Sequence, residues 1–319
     1  MNESETRVIE LRNLAKSFGS VIAVDDVSLH VNKGEIFGLL GPDGAGKTTL
    51  IRMMVGIMEQ TSGVCTVLGY DLKDDRERIK TRIGYMSQRF SLYGDLTVAE
   101  NLDYFSDIYE IPYSGRKDLQ DRMLEFGRLQ PFKDRLAQNL SGGMKQKLAL
   151  ACTLMHKPEI LFLDEPTTGV DPVSRREFWR ILYDLLADGI TIVVSTPYMD
   201  EAERCNRVAM MNLGRILRLD TPAVFKRSIT DSLIEIQADD LNQAKKALTG
   251  FDGIGSIQIF GDRLHVMASG SLDIIHIVTD LLAENHIRHK PIRFIQPGLE
   301  DVFVNMIENE REPSGGHHE

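Results

Sequence analysis

A run of glycines beside a lysine gives the first indication of chemistry in this sequence. It reads Gly41-Pro42-Asp43-Gly44-Ala45-Gly46-Lys47-Thr48-Thr49, with the G-x-x-x-x-G-K-T spacing of a phosphate-binding loop. Glycines let the backbone turn its N–H groups inward around a phosphate, and a helix that follows adds the positive end of its dipole. We expect Lys47 to reach the β- and γ-phosphates and the Thr48 hydroxyl to bind Mg²⁺.

The segments on either side of this loop have the character that a phosphate site requires. An apolar run at Ile36–Leu40 predicts a buried strand before the loop, and residues 50–54 predict the start of a helix after it. A glycine-rich turn that binds no ligand is the competing interpretation. The strand and helix flanks favour the phosphate loop.

A pair of carboxylates follows a second apolar run. Residues 160–163 predict a buried strand, and Asp164 and Glu165 come directly after it. Parallel α/β sheets bind their ligands at the carboxyl ends of the strands. We therefore expect the two carboxylates to lie near the glycine loop, and a solvated pair that caps the strand is the alternative.

Composition limits the class of protein. The chain has 319 residues, of which 42% are hydrophobic and 26% charged, as in soluble globular proteins, and this length favours two domains. A net charge of −10 argues against nucleic acid as a partner. Three widely spaced cysteines are expected to be reduced, and neither a membrane span nor a signal peptide is predicted, which together favour the cytoplasm.

Apolar periodicity predicts an α/β core with an antiparallel β layer before the loop and an inserted helical subdomain at about residues 88–156. We expect these parts to form one domain, residues 7–227. Its predicted elements are strands 8–11, 23–31, 36–40, 64–69, 160–163, 191–195, 208–211 and 215–219, and helices 50–54, 99–109, 118–129, 144–155 and 174–187.

The remaining sequence predicts a smaller domain at residues 228–310, followed by a disordered tail at 311–319. The predicted order β-α-β-β-α-β, with a further helix, is that of an α+β ferredoxin-like sandwich. Since it carries no catalytic cluster, we expect a regulatory or dimer-stabilising role. Its predicted elements are strands 233–237, 254–260, 264–268 and 291–295, and helices 241–248, 272–285 and 299–309.

Taken in order, the motifs resemble those of the ATP-binding cassette family over about residues 7–225. The glycine loop matches the Walker A motif of these P-loop NTPases, residues 160–166 match Walker B, and LSGGMKQKLAL at 140–150 matches the family signature. Gln88 matches the glutamine of the Q-loop, and Asp171 matches the D-loop. Phe18 stands where the family has an aromatic side chain that stacks on adenine.

The resemblance implies that ATP and Mg²⁺ bind here. Phosphoryl transfer requires charge neutralisation at the β- and γ-oxygens and a water molecule in line. Lys47 and Mg²⁺ are expected to neutralise the charge, with Mg²⁺ held by Thr48, Gln88 and Asp164 because it prefers oxygen ligands. Glu165 is the expected general base.

The signature residues imply a dimer. Ser141, Gly142 and Gly143 provide a hydroxyl and backbone N–H groups at a predicted helix start, which makes a second anion site. In the family this site faces the γ-phosphate of the opposite subunit. Two cassettes, identical or different, are therefore expected to complete each nucleotide site.

A narrower resemblance is to the ATP-binding subunits of ABC-2-type exporters, which include multidrug efflux ATPases. Residues 167–179, 200–203 and 297–307 are similar to that group. One position departs from it, because the group has histidine where this chain has Pro197. Hydrolysis by the chain alone is therefore expected to be slow. The structural interpretation is that Thr196 caps a helix whose first residue is Pro197.

These resemblances predict an ATP-hydrolysing subunit, peripheral on the inner face of the cell membrane, that energises separate transmembrane permease subunits. One alternative is a soluble cassette that acts on ribosomes or DNA, but the chain has a single cassette and no sustained heptads. The other is a catalytically weak, regulatory half of a heterodimer, which the absent histidine favours.

Overall fold

The computed structural model describes residues 7–89, 92–229, 231–268 and 273–311, with side chains described as far as residue 308. The chain divides into two compact units, Met1–Leu219 and Asp220–Glu319. The described strands, in chain order, are β1 Arg7–Phe18, β2 Val21–Asn32, β3 Ile36–Leu40, β4 Ser62–Val67, β5 Tyr70–Asp71, β6 Ile83–Met86, β7 Ile160–Asp164, β8 Thr191–Thr196, β9 Arg207–Asn212, β10 Arg215–Asp220, β11 Ser232–Ile236, β12 Ile254–Phe260, β13 Arg263–Ala268 and β14 Arg293–Ile295. The described α-helices are α1 Lys47–Met54, α2 Arg76–Lys80, α3 Val98–Ile108, α4 Arg116–Phe126, α5 Gly142–Thr153, α6 Pro172–Ala187, α7 Met199–Ala202, α8 Pro222–Arg227, α9 Leu241–Leu248, α10 Ile274–Glu284 and α11 Leu299–Arg311.

A six-stranded sheet of order β10-β9-β3-β8-β7-β6 forms the centre of the first unit. Strand β3 is parallel to β8 and β9, and β7 is parallel to β6 and β8. Strands β3, β7 and β8 are buried along their whole length, as expected for parallel strands that are apolar on both faces. Their carboxyl ends meet at one edge, where Leu40 pairs with Thr196 and Asp164 with Ser195.

The antiparallel layer predicted before the glycine loop is present as the sheet β2-β1-β4-β5. Strands β1 and β2 pair antiparallel from Arg7 opposite Asn32 to Phe18 opposite Val21. Both strands are longer than the predicted strands 8–11 and 23–31, because pairing continues through Phe18 and leaves only Gly19 and Ser20 for the turn. Leu11, Val27 and Leu50 belong to one shared core, so this layer packs onto the loop helix α1.

The predicted helical insertion has its own core between α3, α4 and α5. Leu102, Leu124 and Leu148 are buried together there. Helix α3 begins with a capping box, in which Thr97 accepts a hydrogen bond from the Glu100 backbone N–H and the Glu100 carboxylate accepts one from the Thr97 backbone N–H. The bounds of the three helices lie within three residues of those predicted.

The second unit contains the four-stranded sheet β12-β13-β11-β14. All of its strand pairs are antiparallel, and the connectivity β11-α9-β12-β13-α10-β14 is that of a ferredoxin-like sandwich. Ile234, Leu248, Val266 and Val278 contribute to its core. Helix α8, which the apolar pattern did not predict, precedes this sheet and packs against α11.

Some elements differ from those predicted from the sequence. Strand β6 and helix α2 were missed because they are short, and β14 is shorter than the predicted strand 291–295. Arg311 is the last residue of α11, and the rest of the predicted tail lies outside the described residues. Within the described part of the chain, every helix is too short or too polar to cross a membrane.

Candidate active site

The glycine loop connects the end of β3 to the start of α1. Gly46 has φ of 101°, a left-handed value, and a Cβ atom there would lie 2.4 Å from the Ala23 carbonyl oxygen. Only glycine fits both constraints. Lys47 is buried, and its ammonium group donates to the carbonyl oxygens of Gly41 at 2.8 Å and Pro42 at 3.0 Å. The lysine therefore folds back over the loop.

Asp164 and Glu165 lie beside this lysine, as expected from their position at the carboxyl end of β7. They are 0% and 7% exposed, so the alternative of a solvated pair is wrong. The Glu165 carboxylate lies 3.2 Å from the Lys47 ammonium nitrogen. Glu165 has φ of 48°, and its backbone N–H donates to the Ser195 side chain at 3.0 Å. The neighbouring strand thus stabilises a strained backbone that aims the carboxylate at the lysine.

Asp164 is the residue whose surroundings best fit a divalent cation. Its Oδ1 accepts hydrogen bonds from the hydroxyl groups of Thr48 at 3.0 Å and Ser195 at 2.7 Å. Its Oδ2 is buried, and no partner for it lies among the described residues. Burial raises the pKa of this carboxyl, and the charge of Glu165 adds to the effect. A buried carboxylate oxygen with a free lone pair, next to the Thr48 hydroxyl, fits Mg²⁺.

Gln88 extends this arrangement from the other side. Its side-chain amide donates to Glu165 Oε2 at 2.9 Å, and the Thr168 hydroxyl donates to the same oxygen at 3.4 Å. These groups line a cleft of about 570 Å³. The described residues that line the cleft are Val21, Ile22, Ala23, Asp43, Gly44, Ala45, Gly46, Lys47, Thr48, Thr49, Gln88, Glu165, Thr168, Pro197 and Tyr198.

Phe18 is not among the described residues that line the cleft, but it pairs with the lining residue Val21 across the turn between β1 and β2. Its side chain is 49% exposed, and the Lys16 ammonium nitrogen lies 5.1 Å from the centre of its ring. Val21 and Ile22, across the turn, are also exposed and line the cleft. An exposed ring beside an open apolar wall can accept a flat heterocycle by stacking.

The signature residues lie in a different part of the first unit. Ser141 caps α5, and its hydroxyl accepts a hydrogen bond from the Met144 backbone N–H at 3.3 Å. Ser141 and Gly142 are exposed, whereas Gly143 is buried against Ser174 of α6. Asp171 caps α6 and accepts from the Ser174 backbone N–H at 2.9 Å. These residues are not among the described residues that line the cleft.

The segment after β8 differs from its predicted form. Helix α7 begins at Met199 and is capped by Tyr198, so Thr196 is not the cap and Pro197 is not the first helical residue. The reason is that Thr196 stays in the sheet, where its carbonyl oxygen accepts a hydrogen bond from the Gly41 backbone N–H. Sequence reasoning also missed Ser195, whose hydroxyl donates to the Asp164 carboxylate and accepts from the Glu165 backbone N–H. Its place at the end of a strand next to β7 was the available signal.

The sequence has recognisable relatives. Residues 24–168 match a family model described as ABC transporter. Linearmycin resistance ATP-binding protein LnrL of Bacillus subtilis (strain 168) is 32% identical, over 94% of this chain and 98% of that protein. Nod factor export ATP-binding protein I of Cupriavidus metallidurans is 35% identical, over 96% of this chain and 99% of that protein.

A further relative is more similar but longer. Probable multidrug ABC transporter ATP-binding protein YbhF of Escherichia coli (strain K12) is 47% identical over 215 residues, which are 67% of this chain and 37% of that protein. The chain thus spans little more than a third of that relative.

Solved structures have the same fold as the first unit. The ATP-binding cassette MJ0796, a dimer in a post-hydrolysis state bound to ADP and Pi, superposes with a TM-score of 0.61 at 26% identity. The match covers 67% of this chain and 98% of that one. An ATP-binding subunit of an ABC transporter gives a TM-score of 0.62 at 28% identity, over 69% of this chain and 92% of that one.

Proposed function

The chain belongs to the ABC transporter family, as one of its ATPase cassettes, and we propose that it hydrolyses ATP to drive a separate membrane-spanning exporter. The observation that carries the proposal is the contact between Lys47 and Glu165 in a cleft that also contains Thr48 and Gln88. This set provides a cation that binds phosphate oxygens, a hydroxyl group that binds Mg²⁺ and a carboxylate that accepts a proton from water.

Each side chain has a role in phosphoryl transfer. Lys47 neutralises charge on the β- and γ-phosphates once the nucleotide displaces its contact with Glu165. Thr48, Asp164 and Gln88 are the residues that would hold Mg²⁺, which adds positive charge at the same phosphates when it is bound. Glu165, freed from the lysine, accepts a proton from the attacking water.

Phe18 is the proposed contact for the adenine ring. Its exposure supports this role, as do the exposed Val21 and Ile22 that line the cleft. Stacking on an aromatic ring contributes about 1–3 kcal/mol per base in nucleic-acid complexes. The protein then binds the nucleotide at both ends, by stacking on the base and by electrostatic attraction to the phosphates.

A dimer is proposed because Ser141, Gly142 and Gly143 are not among the described residues that line the cleft of their own chain. Ser141 and Gly142 are exposed at the start of α5, where backbone N–H groups can bind an anion. We propose that they complete the nucleotide site of a second cassette, with Asp171 at the same interface.

The proposed transport partner is a membrane-spanning exporter of the ABC-2 type, with the chain on the cytoplasmic face of the membrane. Support comes from the relatives of nearly equal length, which are named for linearmycin resistance and Nod factor export. The C-terminal unit is proposed to regulate or stabilise the dimer.

The second candidate function is the weakly hydrolysing half of a heterodimer, and Pro197 is the observation that favours it. Pro197 lines the cleft but has no side-chain donor and no backbone N–H. A cassette of this kind would bind ATP, and its signature residues would complete the nucleotide site of a more active partner.

Phosphate release by the purified chain tests hydrolysis. Glu165→Gln is expected to reduce turnover by about 10²-fold or more while MgATP still binds, because it removes the base and keeps the size of the side chain. Turnover that survives this substitution would contradict the assigned role of Glu165.

Isolation of the chain from membranes tests the exporter. An integral membrane protein is expected to accompany it. Recovery with ribosomal proteins in place of a membrane protein would overturn the transport proposal.

A further inference from the structure

A buried acidic side chain behind the cleft receives hydrogen bonds from three separate segments. Glu201, in α7, is 1% exposed. Its carboxylate accepts hydrogen bonds from the hydroxyl of Thr167, in the loop after β7, and at 2.8 Å from the hydroxyl of Thr196, at the end of β8. It also accepts one at 3.1 Å from Nε of Arg175, in α6. Loss of any one donor would leave a buried charge less well compensated.

Arg175 makes a second contact that points towards the cleft. Its guanidinium carbon lies 4.0 Å from the centre of the Tyr198 ring, which is the geometry of a cation–π interaction. The Tyr198 backbone N–H donates to the Thr196 hydroxyl oxygen at 3.0 Å. Arg175 thus holds this short segment at two points, through the buried carboxylate of Glu201 and through the aromatic ring.

Tyr198 and Pro197 line the cleft together with Lys47 and Glu165, whereas Arg175 is not among the described residues that line it. Within one chain, Arg175 therefore reaches the cleft through a lining residue that it contacts. The contacts above make Tyr198 that residue.

Arg175 also belongs to the first turns of α6, whose cap is the D-loop residue Asp171. The Arg175 backbone N–H donates to the Asp171 carbonyl oxygen at 2.9 Å. Ser174, its neighbour, packs against Gly143 of the signature. The start of α6 therefore touches both the signature helix and, through Arg175, the segment at the cleft.

We propose that Arg175 is a positioning residue: by pairing with Glu201 and stacking on Tyr198, it holds segment 196–198 against the phosphate end of the cleft. This inference rests on the proposed function, which places the γ-phosphate at the Glu165 end. It adds a connection between that end of the cleft and the helix that carries Asp171. Movement of α6 when two cassettes meet would then be transmitted to the bound nucleotide.

Equilibrium titration with MgATP and MgADP tests the inference. Arg175→Lys keeps a positive charge near Glu201 but loses the flat guanidinium that stacks on Tyr198. It is expected to weaken MgATP binding about three- to tenfold, and MgADP binding by less than about twofold. Arg176→Lys, the same change at the exposed neighbour, is the control and is expected to leave both affinities unchanged.

A double-mutant cycle separates positioning from a general structural role. If Arg175 acts through Tyr198, the double variant Arg175→Lys/Tyr198→Leu binds MgATP no more weakly than Tyr198→Leu alone. Additive losses, or an unchanged MgATP affinity in a folded Arg175→Lys variant, would overturn the inference. Equal losses for MgATP and MgADP would do the same.

Two further outcomes are a variant that does not fold and a wild-type chain that does not bind nucleotide. If Arg175→Lys does not fold, Arg175→Gln, which keeps an N–H donor for Glu201, takes its place in the same cycle. A wild-type chain that binds no MgATP would overturn the proposed function and this inference together, whereas wild-type binding with an additive cycle would overturn the inference alone.

Discussion

At the scale of single residues, we propose that Lys47 is the side chain on which nucleotide binding depends most. It is buried between the loop carbonyls and Glu165, so its charge has been placed before any ligand arrives. Lys47→Ala is expected to weaken MgATP binding about tenfold or more, because hydrogen bonds to charged groups contribute about 1.5–3 kcal/mol. Equilibrium titration measures this loss. Lys33→Ala, which replaces an exposed lysine, is the control.

The same substitution leaves the Glu165 carboxylate buried beside an empty space, which destabilises the fold. The double variant Lys47→Ala/Glu165→Gln removes that charge and separates binding from folding. Normal MgATP affinity in either folded variant would show that the lysine is not the phosphate ligand.

Pro197 is the second residue whose effect can be measured directly. It lines the cleft near Glu165, where a histidine side chain could donate a hydrogen bond and orient water. Positioned acid–base groups contribute roughly 10²–10⁴ in rate, so Pro197→His is expected to raise turnover by about tenfold or more. Pro197→Ala opens the same space without adding a donor and is expected to give no increase. Rapid turnover by the unmodified chain that Pro197→His does not improve would show that this position is dispensable.

At the scale of elements, the contact between α5 and α6 depends on a glycine. A Cβ atom at Gly143 would lie 2.5 Å from Cβ of Ser174, whereas one at Gly142 would lie 3.8 Å from the Gly169 carbonyl oxygen, an ordinary van der Waals contact. Gly143→Ala is therefore expected to cost about 1–3 kcal/mol of stability by separating the two helices. Gly142→Ala is the matched control, and thermal unfolding of both variants is the measurement. Equal melting temperatures of the two variants would mean that α5 and α6 separate without a loss of stability.

At the scale of the whole molecule, we propose that the nucleotide-binding unit folds without the C-terminal unit. A chain that ends at Arg227 is expected to keep its MgATP affinity, since all the described cleft residues precede that position. A chain that ends at Leu219 serves as the comparison. It also lacks α8, which contains the buried Phe225 and packs against α11. Circular dichroism and nucleotide titration measure both. Loss of folding in both shortened chains would show that the C-terminal unit belongs to the main core.

The sequence by itself indicated the proposed site residues and the order of the sheet strands and helices in the second unit. Residue spacing identified the glycine loop, the two carboxylates after β7 and the β-α-β-β-α-β order of the second unit. These features depend on local backbone requirements and on apolar periodicity, and both can be recognised from consecutive residues. The tertiary structure decided what depends on neighbouring strands and helices. Parallel pairing of β7 with β8 brought the Ser195 hydroxyl to the Asp164 carboxylate and the Glu165 backbone N–H and kept Thr196 extended, and packing of α6 placed Arg175 against Tyr198. Such contacts join residues that are far apart in the chain, and a local sequence pattern does not specify which of these residues meet.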